Sequence, residues 1–264
     1  MTRRISRHKD FSLTLDVGND AFLRTPRDSQ RNWILKRVLK EAAEELVHCD
    51  SRVPLMIAGQ DSVIDFESRS KGAPGKDEIM EDWQIPVMER MAEIVTTEQG
   101  SILEVGFGRG VASEYIQSHQ PLQHTIVECN KYICNACNDW IQAQPERDIR
   151  QVEGKWQDVL GQLDIYDGIL FHTYPMDEQD FLENVGKSSN FVEHFFGSAC
   201  RLLKPGGHLS YLTLEADSLG RAHQRALFKY FSSFTLSKMT SLEVPTDTQD
   251  ALWYSELVIV DVVK

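Results

Sequence analysis

No stretch of the 264 residues approaches eighteen consecutive apolar positions, so nothing in the sequence reads as a membrane-spanning helix. The basic opening MTRRISRHK is followed by DFSLTLDVGND, which is too short and polar to be the apolar core of a signal peptide. Positive charge is scarce as well. With 28 Lys and Arg against 40 Asp and Glu, the net charge of -12 repels a polyphosphate backbone or an anionic membrane, which argues against nucleic-acid and membrane partners. Cysteine is too sparse for a disulfide scaffold: Cys49, Cys129, Cys134, Cys137 and Cys200 are odd in number and scattered. Cys134 and Cys137 form a CxxC, yet no second pair or nearby His-x-His spacing completes a set of four zinc ligands. They are expected to be thiols packing a helix, with no metal. A soluble protein of the reducing cytoplasm is the expectation.

What is present is an alternation of strand-like and helix-like segments from about residue 100 onward. SILEV (101–105), HTIVE (124–128), DIRQVEG (148–154), YDGILF (166–171), HLSYLTL (208–214), FTLSKM (234–239) and YSELVIVDVV (254–263) read as strands. Helices are expected near 109–118, 130–142, 188–203 and 217–231, with KPGG (204–207) stopping the third. This is an α/β pattern, a Rossmann-like seven-stranded and mostly parallel sheet with helices on both faces. Residues 1–78 look different. Ile34, Val38, Ala42 and Leu46 recur at helical spacing, and SRSKGAPGKDE follows as a loop, so this part is expected to be a helical extension or lid on a domain spanning 79–264. Within EIMEDWQIPVMERMAEIV, Pro86 is expected to kink the helix or start a new one.

ILEVGFGRG (102–110) sets Gly106, Gly108 and Gly110 where a strand turns into a helix, so that main chain can approach a ligand a Cβ would block. A dinucleotide fingerprint needs G-x-G-x-x-G to seat a pyrophosphate on the helix N-terminus. The shorter G-x-G-x-G, preceded by Glu104, suits a ligand without phosphate, and S-adenosylmethionine is such a ligand. Glu128 closes the next strand, where an acid can accept hydrogen bonds from both ribose hydroxyls. Trp156 is a candidate to stack on adenine, with Gln157 or Asp158 meeting its exocyclic amine; a buried structural Trp is the alternative.

Taken in order, IMEDWQIPVM (79–88), ILEVGFG (102–108), IVECN (126–130), EGKWQDV (153–159), YDGILFHTYP (166–175), RLLKPGG (201–207) and VPTDTQDALWYSELVIVDVVK (244–264) resemble the guanidinoacetate N-methyltransferase family. The resemblance covers roughly residues 79 to 264. It implies a class I S-adenosylmethionine-dependent methyltransferase, with a last strand that enters antiparallel and an N-terminal segment that closes over a small acceptor. It further implies that Met88 lies near the methionine part of the cofactor, that Gly106 and Glu128 hold its backbone-facing and ribose groups, and that Gln157 faces adenine where the family has Glu.

At the acceptor end the chain departs from the family. A Glu in the WxxP helix and an Asp before the TYP turn grip the guanidinium there; those positions are Gln84 and His172 here. The Leu-Thr pair that meets the substrate carboxylate reads Leu214 and Glu215. An unpaired buried charge costs several kcal/mol, so guanidinoacetate is a poor candidate. His172 is expected to act as a base or positioning group, Glu215 to pair with an ammonium group, and Gln84 and Tyr174 to orient the acceptor. The resulting expectation is a methyltransferase acting on a small amine, amino acid or related metabolite. Two alternatives stay open: O-methylation of a carboxylate or hydroxyl, including a peptide C-terminus, and a non-catalytic cofactor-binding protein. Oligomeric state is not readable.

Overall fold

In the computed structural model, which describes residues 12–16, 72–175, 191–213, 215, 218–240, 242–245 and 257–264, the apolar runs form one sheet. In chain order the elements are β1 (Ser12–Asp16), α1 (Lys76–Ile79), a 3-10 turn (Asp82–Gln84), α2 (Ile85–Val95), β2 (Ser101–Val105) and α3 (Val111–Ser118). Then come β3 (Gln123–Glu128), α4 (Lys131–Gln142), β4 (Ile149–Glu153), α5 (Trp156–Val159), a 3-10 turn (Leu160–Gln162) and β5 (Tyr166–Phe171). A 3-10 turn (Phe191–His194), α6 (Phe196–Leu202), β6 (Leu203–Thr213), α7 (Arg221–Tyr230), β7 (Ser233–Met239) and β8 (Leu257–Val263) complete the order.

The strands lie in the order β1-β7-β8-β6-β5-β2-β3-β4. From β4 to β6 every neighbouring pair is parallel, and β8 runs antiparallel to both β6 and β7. Strands covered on both faces read as continuous apolar runs, and alternate residues divide between two cores. Ile102, Leu170 and Ile259 pack on one face with Val87, Met88 and Met91 of α2. On the other, Leu103, Ile169, Leu209 and Val260 pack with Phe196 and Ala199 of α6. The sheet reverses its winding between β2 and β5, and their carboxyl ends open a crevice there, the usual place for a ligand in this architecture.

Local chemistry explains the helix starts. Pro86 lies in the first turn of α2, where no intrahelical N–H is required, and it marks a new helix after the 3-10 turn. Asn130 caps α4 by accepting from the N–H groups of Tyr132 (2.9 Å) and Ile133 (3.3 Å). Cys134 and Cys137 are buried on α4, and burial pushes the Cys134 thiol up to about 12. Among the described residues, no three His, Cys, Asp or Glu side chains are placed to hold a metal, and no helix is long and apolar enough to cross a membrane.

Three expectations differ from the structure. An eighth strand, β1, comes from the segment expected to be helical and pairs antiparallel with β7; the helix expected around Ile34 to Leu46 lies outside the described residues. The third helix does end just before KPGG, at Leu202, but β6 begins at Leu203 and not His208, so KPGG is extended: Gly206 N donates to the Lys264 carbonyl (3.1 Å) and Lys264 N to the Gly207 carbonyl (3.0 Å). The helix expected from residue 217 begins at Arg221.

Gly168 marks where α2 crosses β5, since a Cβ there would strike the carbonyl oxygen of Val95, the last residue of α2. Gly168→Ala is therefore expected to lower stability by about 1–3 kcal/mol, the usual effect of overpacking, measured by urea denaturation.

Candidate functional site

Three turns meet at the crevice. The first is the glycine turn after β2, where Gly106, Gly108 and Gly110 adopt φ of 98°, 56° and 76°. Gly106 has no room for a side chain: a Cβ would run into the His172 carbonyl oxygen, so the cofactor-type turn and the HTYP turn after β5 are in direct contact. Gly110 supplies the left-handed residue that opens α3.

The second turn follows β3 and is joined to the first by one side chain. Glu128 Oε2 accepts from Phe107 N (3.0 Å) and Gly108 N (3.4 Å), and Oε1 accepts from Cys129 N (2.7 Å) and Asn130 N (2.9 Å). A carboxylate offers about four lone-pair sites, so Glu128 is saturated by main chain.

The third turn carries His172, Thr173 and Tyr174. Together the turns line a cleft of about 300 Å³, including its open mouth, with walls from Gly106, Glu128, Gly154, Trp156, Gln157 and Tyr174. Cys129, Lys155 and Thr173 also line it, and sequence reasoning had not selected them. Burial, with the charge of Glu128 second, pushes the Cys129 thiol up to about 12, so it remains protonated.

Of the residues expected to hold a cofactor, the structure gathers Gly106, Glu128, Trp156 and Gln157 on this cleft. Trp156 shows one edge to it while its ring meets Phe171, Phe191 and Phe195 edge-on at 5.1–6.4 Å, so it serves the core and the wall at once. Gly108 and Gly110 shape the turn without lining the cleft.

Glu104 is not brought to the cleft. It shares the face of β2 that carries Ile102, under α3, where it accepts from Ser113 Oγ (2.6 Å) and lies 3.0 Å from His124 Nε2, all fully buried. Met88 is likewise packed into the α2 core, 1% exposed, and does not line the cleft.

The acceptor-end candidates also divide. Tyr174 is exposed and its hydroxyl lies 3.5 Å from His172 Nε2. His172 is half-buried yet surrounded by protein at longer range, and this desolvation pushes its imidazole down to about 4. It is neutral at neutral pH and a weak base. Gln84 is buried in the 3-10 turn that leads into α2, away from the cleft wall.

Glu215 is committed elsewhere: Oε1 accepts from Gly220 N (2.6 Å) and Oε2 lies 2.5 Å from His223 Nδ1, whose Nε2 lies 2.5 Å from Tyr211 OH. Burial, with Glu215 second, holds the Tyr211 phenol well above its ordinary value. The Tyr211 hydroxyl and His223 Nε2 share a hydrogen bond, and His223 Nδ1 donates to the Glu215 carboxylate. An i to i+8 pair across a turn into a helix leaves no periodic signal in sequence.

Fold and glycine turn together define a class I S-adenosylmethionine-dependent methyltransferase. The chain belongs to the guanidinoacetate N-methyltransferase family, whose pattern matches residues 66–245. Protein arginine N-methyltransferase 2 of Saccharomyces cerevisiae is 30% identical over 159 residues, 54% of this chain and 34% of its own length. The protein of the same name from Yarrowia lipolytica is 30% identical over 155 residues, 53% of this chain and 30% of its own. The chain thus spans about a third of the length of these curated relatives. A solved structure from Streptococcus mutans, assigned to the S-adenosylmethionine-dependent methyltransferases, shares the fold with a TM-score of 0.51 at 14% identity, over 73% of this chain and 51% of that one.

The cleft fits the cofactor of this class. Gly106 and Gly154, both at positive φ, leave its wall free of Cβ atoms, and the buried Trp156 Nε1 has no hydrogen-bond partner among the described residues.

Two outcomes follow. Glu128→Gln replaces two of four acceptor sites with donors facing N–H groups; it is expected to lower stability by about 2 kcal/mol and weaken S-adenosylhomocysteine binding at least ~10-fold, read by thermal shift and calorimetry. Because the folded pKa of His172 is depressed, its ring stays neutral as pH falls through the unfolded value near ~6.5. Its NMR ring-proton shift should therefore not move until about pH 4, and its contribution to stability declines between those values.

Proposed function

We propose that this protein transfers a methyl group from S-adenosylmethionine to an uncharged nitrogen of a small amine, amino acid or related metabolite, and that guanidinoacetate is not its acceptor. The observation that carries the reading is the lack of a free carboxylate among the three acceptor-end candidates. Gln84 is an amide, His172 is a neutral imidazole, and Glu215 is bonded to Gly220 and His223. The cofactor, when bound, supplies an electrophilic methyl carbon on a cationic sulfonium. A second cation beside it would be repelled, and no side chain among these three compensates it.

A nucleophilic nitrogen must present a lone pair. An imidazole lowered to about 4 is too weak a base to strip an alkylammonium, so the acceptor enters as its free base. His172 then serves as a hydrogen-bonding group that positions the acceptor, with Tyr174 beside it. The turn against Gly106 fixes where His172 stands. This replaces the role of general base that the sequence alone offered as one option.

A second reading, methylation of an arginine side chain in a peptide, is favoured by the 30% identity to proteins named for that activity. The missing carboxylates weigh against it, because a guanidinium is always charged at neutral pH.

The test is a panel of acceptors offered with labelled methyl donor: weakly basic amines, amino acids, guanidinoacetate and an arginine peptide. Label is expected in a weakly basic amine, with guanidinoacetate inert. Gln84→Glu combined with His172→Asp is expected to raise kcat/KM for guanidinoacetate by more than about tenfold, the effect of restoring charge-assisted hydrogen bonds. Wild-type turnover of guanidinoacetate or the arginine peptide above that of every neutral amine would overturn the reading.

A further inference from the structure

Arg109 stands inside the glycine turn, between Gly108 and Gly110, where a guanidinium would ordinarily face the ligand or solvent. Its side chain is only 14% exposed and turns away from the cleft. Nη1 donates to the Met80 carbonyl at 2.6 Å and Nη2 to Asp82 Oδ1 at 2.6 Å. Both partners belong to the segment that leads into Gln84: Met80 precedes the 3-10 turn and Asp82 is its first residue.

The contact extends beyond the guanidinium. A Cβ on Gly108 would lie 3.1 Å from Ile79 Cγ2, so the glycine turn and this segment are already packed together. Lys76 Nζ reaches the other oxygen of Asp82 at 3.2 Å, and Trp83 Nε1 donates to Glu81 Oε2 at 2.7 Å, which stiffens the turn from its own side. On the opposite side of Arg109, Phe107 N and Gly108 N are held by Glu128. A continuous path therefore runs from Glu128 through the glycine turn and Arg109 to Met80, Asp82 and Gln84.

We infer that Arg109 is a positioning residue that couples the cofactor turn to the turn carrying Gln84, so that cofactor occupancy organises the acceptor end. The inference rests on the methyltransferase reading of the cleft. Two donors in a rigid fork are needed, because one must hold a main-chain carbonyl while the other holds a carboxylate. A lysine, as a point charge on a flexible stem, does not fix the same geometry. A ligand that donates to Glu128 competes with Phe107 N and Gly108 N, the N–H groups just before Arg109, and the resulting shift of the glycine turn is passed on without any contact between ligand and Gln84.

Amide hydrogen exchange on the full chain tests this, with S-adenosylhomocysteine as the probe. In the wild type, saturating probe is expected to slow exchange by about fivefold in Met80–Met88 as well as in Gly106–Gly110. In Arg109→Met the slowing is expected only in Gly106–Gly110, and in Arg109→Lys, which keeps the charge but loses the rigid two-nitrogen fork, an intermediate effect at Met80–Met88. The readout is the difference made by the probe, which a merely structural loss would not alter selectively. Retained slowing at Met80–Met88 in Arg109→Met, or none there in the wild type, overturns the coupling. Should Arg109→Met fail to fold, Arg109→Lys decides: an effect equal to wild type overturns the inference. If calorimetry shows that the folded wild type does not bind the probe at all, the methyltransferase reading falls, and the coupling with it.

Discussion

Glu128 accepts hydrogen bonds from four main-chain N–H groups, two in the glycine turn and two where α4 begins, and the geometry of the cleft follows from that one carboxylate. Parallel strands bring their carboxyl ends to one edge of the sheet, but they do not fix the loops beyond it. Here the loops after β2 and β3 share an anion. Charge-assisted bonds of this kind contribute roughly 1.5–3 kcal/mol each when formed, and a buried carboxylate left without them is strongly unfavourable. The third loop is fixed by shape, because the missing side chain of Gly106 admits the His172 carbonyl. One ion and one absent Cβ therefore set the relative positions of all three turns.

The parts of this arrangement that depend on main-chain conformation were legible in the sequence. Gly106, Gly108 and Gly110 announce a turn where main chain must approach closely, and Pro86 announces a kink or a helix start, because each requirement is local. The alternation of strands and helices also announced the strands, since strands buried on both faces must be apolar throughout, while the antiparallel last strand was implied by the family resemblance alone. What was not legible depended on partners distant in the chain. β1 exists by pairing with β7 more than 200 residues later, and KPGG stays extended because the chain's end pairs with it. The face to which Glu104 points is set by strand phase: it falls with Ile102 under α3, whereas its position before the glycines suggested the cleft.

Glu215 shows the same limit in the site itself. Read in sequence it was a free carboxylate near the acceptor; in the fold it receives the Gly220 N–H and the His223 ring N–H. Its charge is thereby used to orient a buried imidazole, which in turn shares a hydrogen bond with the Tyr211 hydroxyl. Three polar side chains in an otherwise aromatic environment satisfy one another, with Phe196 stacked on His223 at 5.9 Å. Such a network is stable when each member is paired, and withdrawing Glu215 to greet a substrate would leave His223 without its acceptor.

The electrostatic character of the acceptor end follows from these commitments. Glu128 is spent on the turns and Glu215 on His223, while Gln84 and His172 carry no charge at neutral pH. A net charge of -12 would suggest an abundance of anionic groups for any cationic ligand, yet net charge says nothing about a particular cleft. A cationic acceptor beside a sulfonium needs a counter-charge within a few ångströms, where Coulomb energy in a partly desolvated site is worth several kcal/mol. On the proposed reading, with no free carboxylate among Gln84, His172 and Glu215, the nitrogen that reacts is the nitrogen that arrives deprotonated. Selectivity among acceptors then becomes a matter of their own basicity, together with the hydrogen bonds that His172 and Tyr174 can offer.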